Sequence, residues 1–310
     1  MTTLLIENPA GLNHVTPAGH PEQIARLQAV TRALAPLELL HREEAPMADE
    51  SDLLLCHPQS HIDRIRAAIP GAETTTALDA DTYVSAGSWE AALKGVGGCL
   101  RAVDAVLGEE VQNAFVATRP PGHHCETDRP MGFCLFGNIA IAAKHALQRH
   151  GLSRVAVVDF DVHHGNGTQD LLWSEANALF VSSHQMPLYP GTGAASERGG
   201  FNNVMNLPLG PGTDGGAMRN NYTSRVIPRL REFAPELILI SAGFDAHRAD
   251  PLANLMWETE DFVWLTRALC DVADEVCAGR IVSTLEGGYD LDALAEATAA
   301  HVTVLMERAG

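Results

Sequence analysis

The chain has 310 residues, of which 46% are hydrophobic and 19% charged, and its formal net charge at pH 7 is −18. This composition allows a sizeable core and excludes a disordered, collagen-like or disulfide-rich chain. The acidic surface repels nucleic-acid phosphates, so we expect no nucleic-acid partner, and it attracts cations such as lysine-rich peptides and polyamines.

The N-terminal segment has no basic region followed by a long apolar stretch, so we expect no signal peptide. No run approaches the ~18 apolar residues of a membrane span, and we expect no membrane partner. The six cysteines form no CxxC pair, which is typical of reduced thiols. These features together predict a cytoplasmic protein, for which an acidic surface also serves solubility.

Short apolar runs alternate with stretches of helical length along the chain. The runs predict buried strands at Ala114–Thr118, Val155–Phe160, Leu179–Ser182, Leu237–Ser241 and Ile281–Leu285. The stretches between and around them predict helices at Trp89–Leu107, Asn138–Arg149, Met218–Phe233 and Asp261–Cys277. This alternation predicts an α/β fold with a parallel sheet, whose ligand site lies at the carboxyl ends of the strands. No linker or repeat divides the chain, so we expect one domain over residues 1–310.

A loop with two adjacent histidines follows the first of these strands, in the sequence RPPGHH. Imidazole titrates near neutral pH, so His123 and His124 suit general acid and base chemistry. The alternatives for this pair are surface residues or additional metal ligands.

Two aspartates and a histidine follow the second strand. Residues two apart share a face in extended backbone, so we expect Asp159, Asp161 and His163 to point the same way. Such a group at a buried strand end is costly without a cation. The alternative is a salt-bridged acidic cluster, but no Lys or Arg lies nearby in sequence.

The last two strands also end at polar side chains. Asp245 follows the fourth strand, and an Asp, His and Asp set leaves a position open for water, which is typical of catalytic zinc. Tyr289 follows a Gly-Gly turn after the fifth strand, where its hydroxyl can point at a developing oxyanion. Taken alone, Asp245 also fits a helix cap and Tyr289 a packing residue.

Six motifs occur along the chain in the order RPPGHH, GFC, DFDVHHGNGTQ, YPGTG, SAGFDAHRADPL and EGGY. Together they resemble the histone deacetylase family, and its class II and bacterial members more than class I, and the match begins near Gly19. The resemblance implies the arginase/deacetylase α/β fold, with a central eight-stranded parallel sheet flanked by helices. It also implies a hydrolase that removes acetyl or related acyl groups from acyl-lysine in proteins or peptides.

The resemblance assigns metal ligands residue by residue. It implies a single zinc ion held by Asp161, His163 and Asp245, and inhibition by zinc-chelating hydroxamates. It also implies a structural potassium ion near the zinc loop, with several ligands that are backbone carbonyls. The corresponding residues here are Asp159, Asp161, His163, Ser182 and Ser183.

The catalytic roles follow in the same way. The resemblance implies that His124 is the main general base and acid, with His123 as its electrostatic partner. Asp159 would orient the first histidine and Asn166 the second. Class I members usually carry Asp in place of Asn166, so we expect a lower pKa for His124 here than in class I. Tyr289 matches the tyrosine that stabilises the oxyanion.

The resemblance also places residues around the substrate. Gly132 and Phe133 belong to the GFC motif, and Phe133 and Tyr189 match the two aromatic residues of the acyl-lysine tunnel. Family members usually have Phe at both positions, so Tyr189 makes the wall more polar. Arg26 matches an arginine at the foot of the pocket, beside the route for released acetate. Leu252 is expected at the pocket rim.

Three alternatives stand beside protein deacetylation. Acetylpolyamines are small acetylated amines that fit the same chemistry, but polyamine-selective relatives of class II type carry glutamate in place of Leu252. We therefore expect a preference for acetyl-lysine, unless Leu252 is a packing residue alone.

A zinc-bearing acyl-lysine binding module without turnover is disfavoured by the intact His123, His124 and Tyr289. An arginase-like enzyme needs further ligands for a second metal. The sequence is compatible with a homo-oligomer.

Overall fold

An eight-stranded parallel sheet runs through the molecule. The computed structural model describes residues 2–71 and 74–310. The strands are β1 Thr3–Glu7, β2 His41–Glu44, β3 Thr75–Ala77, β4 Tyr83–Ser85, β5 Asn113–Ala117, β6 Val155–Asp159, β7 Ala178–Gln185, β8 Val204–Leu209, β9 Leu237–Ala242 and β10 Ile281–Leu285. The order in the sheet is β2-β1-β5-β10-β9-β6-β7-β8. A separate antiparallel ribbon is formed by β3 and β4.

Helices cover both faces of this sheet. They are α1 Ile24–Leu34, α2 Glu50–Leu53, α3 Gln59–Ala68, α4 Ser88–Leu107, α5 Asn138–Gln148, α6 Asn166–Leu172, α7 Gly215–Asn221, α8 Ile227–Phe233, α9 Thr259–Cys277 and α10 Leu291–Ala309. A π-helical turn, Tyr222–Val226, joins α7 to α8. No helix in the described part of the chain is long and apolar enough to cross a membrane.

The core consists of two layers, one on each face of the sheet, because successive strand residues point to opposite faces. In β5, Phe115 belongs to the layer that packs under α1, α9 and α10, whereas Val116 belongs to the layer under α4 and α5. A strand that is buried on both faces is apolar throughout. All residues of β6 are accordingly buried.

The observed bounds confirm the five predicted strands to within a few residues. The largest difference is at β7, which continues through Gln185 because its polar residues after Ser182 remain buried and pair with β8. The prediction that Asp159, Asp161 and His163 share one face of an extended segment is wrong. The strand ends at Asp159, and the backbone N–H of Asp161 donates to the Asp159 carboxylate at 3.1 Å, which turns the chain.

Candidate active site

The candidate residues lie at the carboxyl ends of the four central strands, β5, β10, β9 and β6, which are neighbours in the sheet. The loop after β5 carries the paired histidines, and the loop after β6 carries Asp161 and His163. Asp245 follows β9, and Tyr289 follows β10. Parallel strands bring their carboxyl ends to one edge, so four segments distant in sequence meet there.

Asp161, His163 and Asp245 form one buried cluster, with a potential ligand atom from each within 4.8 Å of the others. His163 Nδ1 lies 3.1 Å from Asp161 Oδ1 and 3.1 Å from Asp245 Oδ2. Backbone N–H groups hold the carboxylates in place, because Val162 donates to Asp245 at 2.8 Å and Gly287 donates to Asp161 at 2.8 Å.

The negative charges of this cluster are suited to binding a cation. Both aspartates are fully buried, and neither pairs with a lysine or arginine among the described residues. Burial opposes a charged His163, but the Asp161 and Asp245 carboxylates raise its pKa to about 10, so positive charge is favoured here. Two carboxylates and an imidazole form a donor set suited to zinc.

The glycines of the EGGY turn bring backbone close to this cluster. A Cβ added at Gly287 would lie inside van der Waals distance of both the Asp245 and Asp161 carboxylates. The turn can therefore approach the two aspartates only without a side chain at this position.

Each of the paired histidines has its own hydrogen-bond partner. His123 Nδ1 lies 3.0 Å from Asp159 Oδ2, and His124 Nδ1 lies 2.7 Å from Asn166 Oδ1. The two rings are 4.0 Å apart between centroids. The structure thus pairs each histidine with the residue predicted to orient it.

The two histidines differ in charge preference. Burial disfavours the charged form of both, but the Asp161 and Asp159 carboxylates raise the pKa of His123 well above its usual value. Burial, His123 and His163 hold the pKa of His124 well below its usual value. These shifts favour a charged His123 and a neutral His124.

Tyr289 is held from two sides. Its backbone N–H donates to Asp250 Oδ2 at 2.7 Å, and the Arg26 guanidinium lies 4.9 Å from the centroid of its ring. Burial raises the pKa of the phenol well above its usual value, so the hydroxyl stays a proton donor. Arg26 itself lies behind the turn, because it donates to the carbonyls of Gly288 at 2.6 Å and Glu286 at 2.5 Å.

A cavity of about 350 Å³ leads to these side chains. Phe133, Tyr189, Gly132 and Leu252 lie in its wall together with His124, His163 and Tyr289. Gly132 has a φ of +55°, and a Cβ there would clash with the His124 ring. Arg26 is not part of this wall. A second cavity of about 370 Å³ lies beside β1 and β2, and its lining holds none of the predicted site residues.

Ser182 and Ser183 follow Val181 on β7, where Ser182 is the register partner of Asp159. Successive strand residues face opposite ways, and the two hydroxyls have different partners. Ser182 Oγ lies 2.9 Å from His184 Nδ1, whereas Ser183 Oγ lies 2.8 Å from the Tyr222 hydroxyl. Only one of these hydroxyls can therefore face a given ion.

Two further groups in the described chain bring potential metal ligands within 4.8 Å of one another. They are His57, His61 and Cys125, which are buried, and Asp104, His145 and His150, of which the first two are half-buried and the last is exposed. In the first group His57 already contacts the Thr127 carbonyl at 3.0 Å and the Gly137 N–H at 2.9 Å. In the second, both imidazoles lie 2.7 Å from the same carboxylate oxygen. Hydrogen bonds account for both arrangements.

Two buried acids around the site, Glu286 and Asp250, were given no role from the sequence. Glu286 Oε2 accepts from the backbone N–H of Gly122 at 2.7 Å, and its Oε1 accepts from Ser241 Oγ at 3.0 Å. Asp250 links the Tyr289 backbone to Leu252 N at 2.9 Å. Both acids lie inside the EGGY and ADPL motifs, and that position was the only signal for them.

Comparison with known proteins gives one family. The model of the histone deacetylase domain matches residues 20–305. A histone deacetylase-like amidohydrolase of Pseudomonas aeruginosa is 39% identical over 290 residues, which cover 92% of this chain and 74% of that protein. A probable deacetylase of Archaeoglobus fulgidus is 35% identical over 300 residues, which cover 94% of this chain and 82% of that protein. The crystal structure of the HDA15 HD domain superposes with a TM-score of 0.93 at 31% identity, over 99% of this chain and 89% of that one. The likeness shows the arginase/deacetylase fold.

Proposed function

The chain belongs to the histone deacetylase family, and from that premise we propose that it is a zinc-dependent deacetylase of acyl-lysine side chains. The observation that carries the proposal is the meeting of three groups at one cavity. These are the Asp161, His163 and Asp245 cluster, the His123–His124 pair and the Tyr289 hydroxyl.

Asp161, His163 and Asp245 would hold the metal, since they offer a buried anionic donor set that pairs with no lysine or arginine in the part of the chain that the structure describes. Zinc bound there would supply Lewis acidity toward an amide carbonyl and toward water. Asp161 and Asp245 each keep a hydrogen bond from backbone N–H, which fixes the direction of the donor atoms.

His124 would move the proton. Its Nδ1 faces Asn166, so the free Nε2 takes a proton from the attacking water and later gives it to the leaving amine nitrogen. His123, held charged by Asp159 and Asp161, keeps the neighbouring His124 from taking up a proton before the reaction begins.

Tyr289 and the cavity wall would bind the substrate. The phenol, whose hydroxyl makes no hydrogen bond to any residue that the structure describes, donates to the oxygen on which negative charge develops. Phe133 and Tyr189 line the cavity and provide surfaces against which an alkyl chain can pack.

Four further points belong to the proposal. A potassium ion would sit where β6 and β7 pair Asp159 with Ser182, with backbone carbonyls supplying the remaining ligands. The sheet takes strands from Thr3 to Leu285, which supports one catalytic domain over residues 1–310. Hydroxamates, which chelate zinc, would inhibit, and we propose a cytoplasmic location.

A turnover assay on the purified zinc-loaded protein tests this function. We expect hydrolysis of acetyl-lysine peptides, stoichiometric zinc in the wild type, and large loss of both zinc and activity in Asp245→Ala. The exposed Asp63→Ala, a substitution of the same type on α3, should change neither. Full zinc content and activity in Asp245→Ala would contradict the assignment of Asp245 as a zinc ligand. Binding of acyl-lysine without turnover by the wild type would favour a binding module.

Acetylpolyamines are the second candidate substrate. The carboxylate-bearing Asp81 lines the same cavity and can attract a distant ammonium of such a substrate. The overall charge of −18 acts in the same direction, although salt screens it over about 8–10 Å. The same assay with acetylspermidine or acetylputrescine separates the two candidates.

A further inference from the structure

The side-chain amide of Asn166 lies between two partners. Its Oδ1 is 2.7 Å from His124 Nδ1, and its Nδ2 donates to Glu126 Oε1 at 2.8 Å. An ionised carboxylate only accepts hydrogen bonds, so the group facing Glu126 must be the NH₂ of the amide. Glu126 therefore determines which end of the amide faces His124.

The orientation of this amide has a consequence for the His124 ring. Because Oδ1 only accepts, the nitrogen that it contacts must carry a hydrogen, which places the proton on Nδ1 and the lone pair on Nε2. A reversed amide would present NH₂ to Nδ1 and so favour the opposite tautomer, in which Nε2 cannot take up a proton. In the observed orientation the other partners of the Asn166 amide nitrogen, the His124 carbonyl and Met131 Sδ, are farther away than Glu126, both at 3.4 Å.

We propose, on the basis of the function proposed above, that Glu126 is a positioning residue that fixes the Asn166 amide and through it the basic tautomer of His124. Its carboxylate makes no other side-chain hydrogen bond among the described residues. Glu126 is half-buried and does not line the cavity, so it acts without touching the substrate.

The same contact explains the residue type at position 166. A carboxylate there would face that of Glu126 across the present 2.8 Å contact, and two like charges at that distance disfavour each other's ionised forms. A glutamine at position 126 would remove this conflict because its NH₂ can donate to a carboxylate. Glu126→Gln should therefore lower the rate when residue 166 is asparagine and raise it when residue 166 is aspartate.

Four proteins test this reversal: the wild type, E126Q, N166D and the double variant, all loaded with zinc. In the wild-type background E126Q should lower kcat about threefold, because a neutral acceptor holds the amide less strongly, and leave KM unchanged. N166D should lower kcat about tenfold or more, and adding E126Q to it should raise kcat by about threefold or more. The exposed D128N removes one charge from the same loop and should leave kcat as it is.

The tautomer of His124 gives a readout that does not depend on turnover. Nitrogen NMR of protein with ¹⁵N-labelled histidine should show His124 protonated at Nδ1 in the wild type and in D128N, and a mixture of tautomers in E126A. An equal effect of E126Q in both backgrounds, or an unchanged His124 tautomer in E126A, would overturn the role of Glu126. A wild type that hydrolyses no acyl-lysine would instead refute the proposed function, and the NMR result would still decide the role of Glu126.

Discussion

At the scale of single residues, the site depends on groups whose ordinary ionisation is altered by burial and by neighbours. His123 and His124 are adjacent in sequence, yet their pKa values shift in opposite directions. The Asp161 and Asp159 carboxylates outweigh burial at His123, whereas burial and the neighbouring His123 and His163 lower the pKa of His124. The sequence motifs predicted His123, His124, Asp159 and Asp161 as site residues. They did not predict Glu126, because its contact with Asn166 depends on a turn that no local pattern reveals.

Tyr289→Phe removes the phenol hydroxyl and leaves the ring above Arg26. We expect it to keep its zinc and its fold and to lose about 10²–10³ in kcat, since one oxyanion donor contributes about that much. Steady-state kinetics with metal analysis and circular dichroism on the same preparation measure the effect. A near wild-type kcat would mean that Tyr289 has no oxyanion role.

Leu252→Glu adds a carboxylate to the wall of the cavity. A charge pair at a partly buried site contributes on the order of 1–3 kcal/mol, which corresponds to about ten- to a hundredfold in kcat/KM. We expect the wild type to prefer acetyl-lysine peptides over acetylated polyamines, and Leu252→Glu to shift that ratio toward polyamines. Leu252→Met serves as the uncharged control. A wild type that prefers acetylspermidine by about tenfold or more would contradict this substrate choice and leave the zinc mechanism intact.

At the scale of elements, the sequence predicted strands β5, β6, β7, β9 and β10 of the central sheet and missed β1, β2 and β8. The edge strand β2, His41-Arg42-Glu43-Glu44, carries no apolar run because solvent reaches it. Edge strand β8 contains Pro208, which weakens any strand prediction, and there the proline is tolerated. The irregular turn Tyr222–Val226 inside the predicted helix Met218–Phe233 also leaves no mark in hydrophobic periodicity.

Gly287→Ala tests the turn after β10. The added methyl group would press on the Asp245 and Asp161 carboxylates, so the turn or the ligands must move. We expect zinc affinity to fall about 10- to 100-fold, as for changes in the groups that support metal ligands. Competition with a chromophoric chelator measures this affinity. Gly210→Ala, where an added Cβ meets nothing within 4 Å, is the matched control and should bind zinc normally. Equal affinities in the two variants would show that the turn tolerates a side chain.

At the scale of the whole molecule, the buried charges of the site link metal binding to folding. Without a cation, Asp161 and Asp245 remain buried near each other, an arrangement that opposes folding. A ligand that binds only the folded state at about 100 times its Kd adds about 2.7 kcal/mol. We therefore expect a strong chelator to lower the Tm of the wild type by about 5 °C or more.

Differential scanning calorimetry with and without chelator checks this expectation, and added zinc should restore the original Tm. Asp245→Ala is the control, because a protein that does not hold the metal has no metal-dependent stability to lose. Chelation that leaves the wild-type Tm unchanged would show that metal contributes nothing to the fold.

The predicted zinc ligands, the paired histidines and Tyr289 lie in loops that follow strands of the sheet. Much of the cavity wall comes instead from loops that contribute no strand to the sheet. Ala80 and Asp81 lie between β3 and β4, Leu188 and Tyr189 between β7 and β8, and Leu252 between β9 and α9. Surface loops tolerate substitutions and insertions far better than buried strands do. New substrate preferences can therefore evolve through these loops, one at a time, while the reaction chemistry at the strand ends is inherited unchanged.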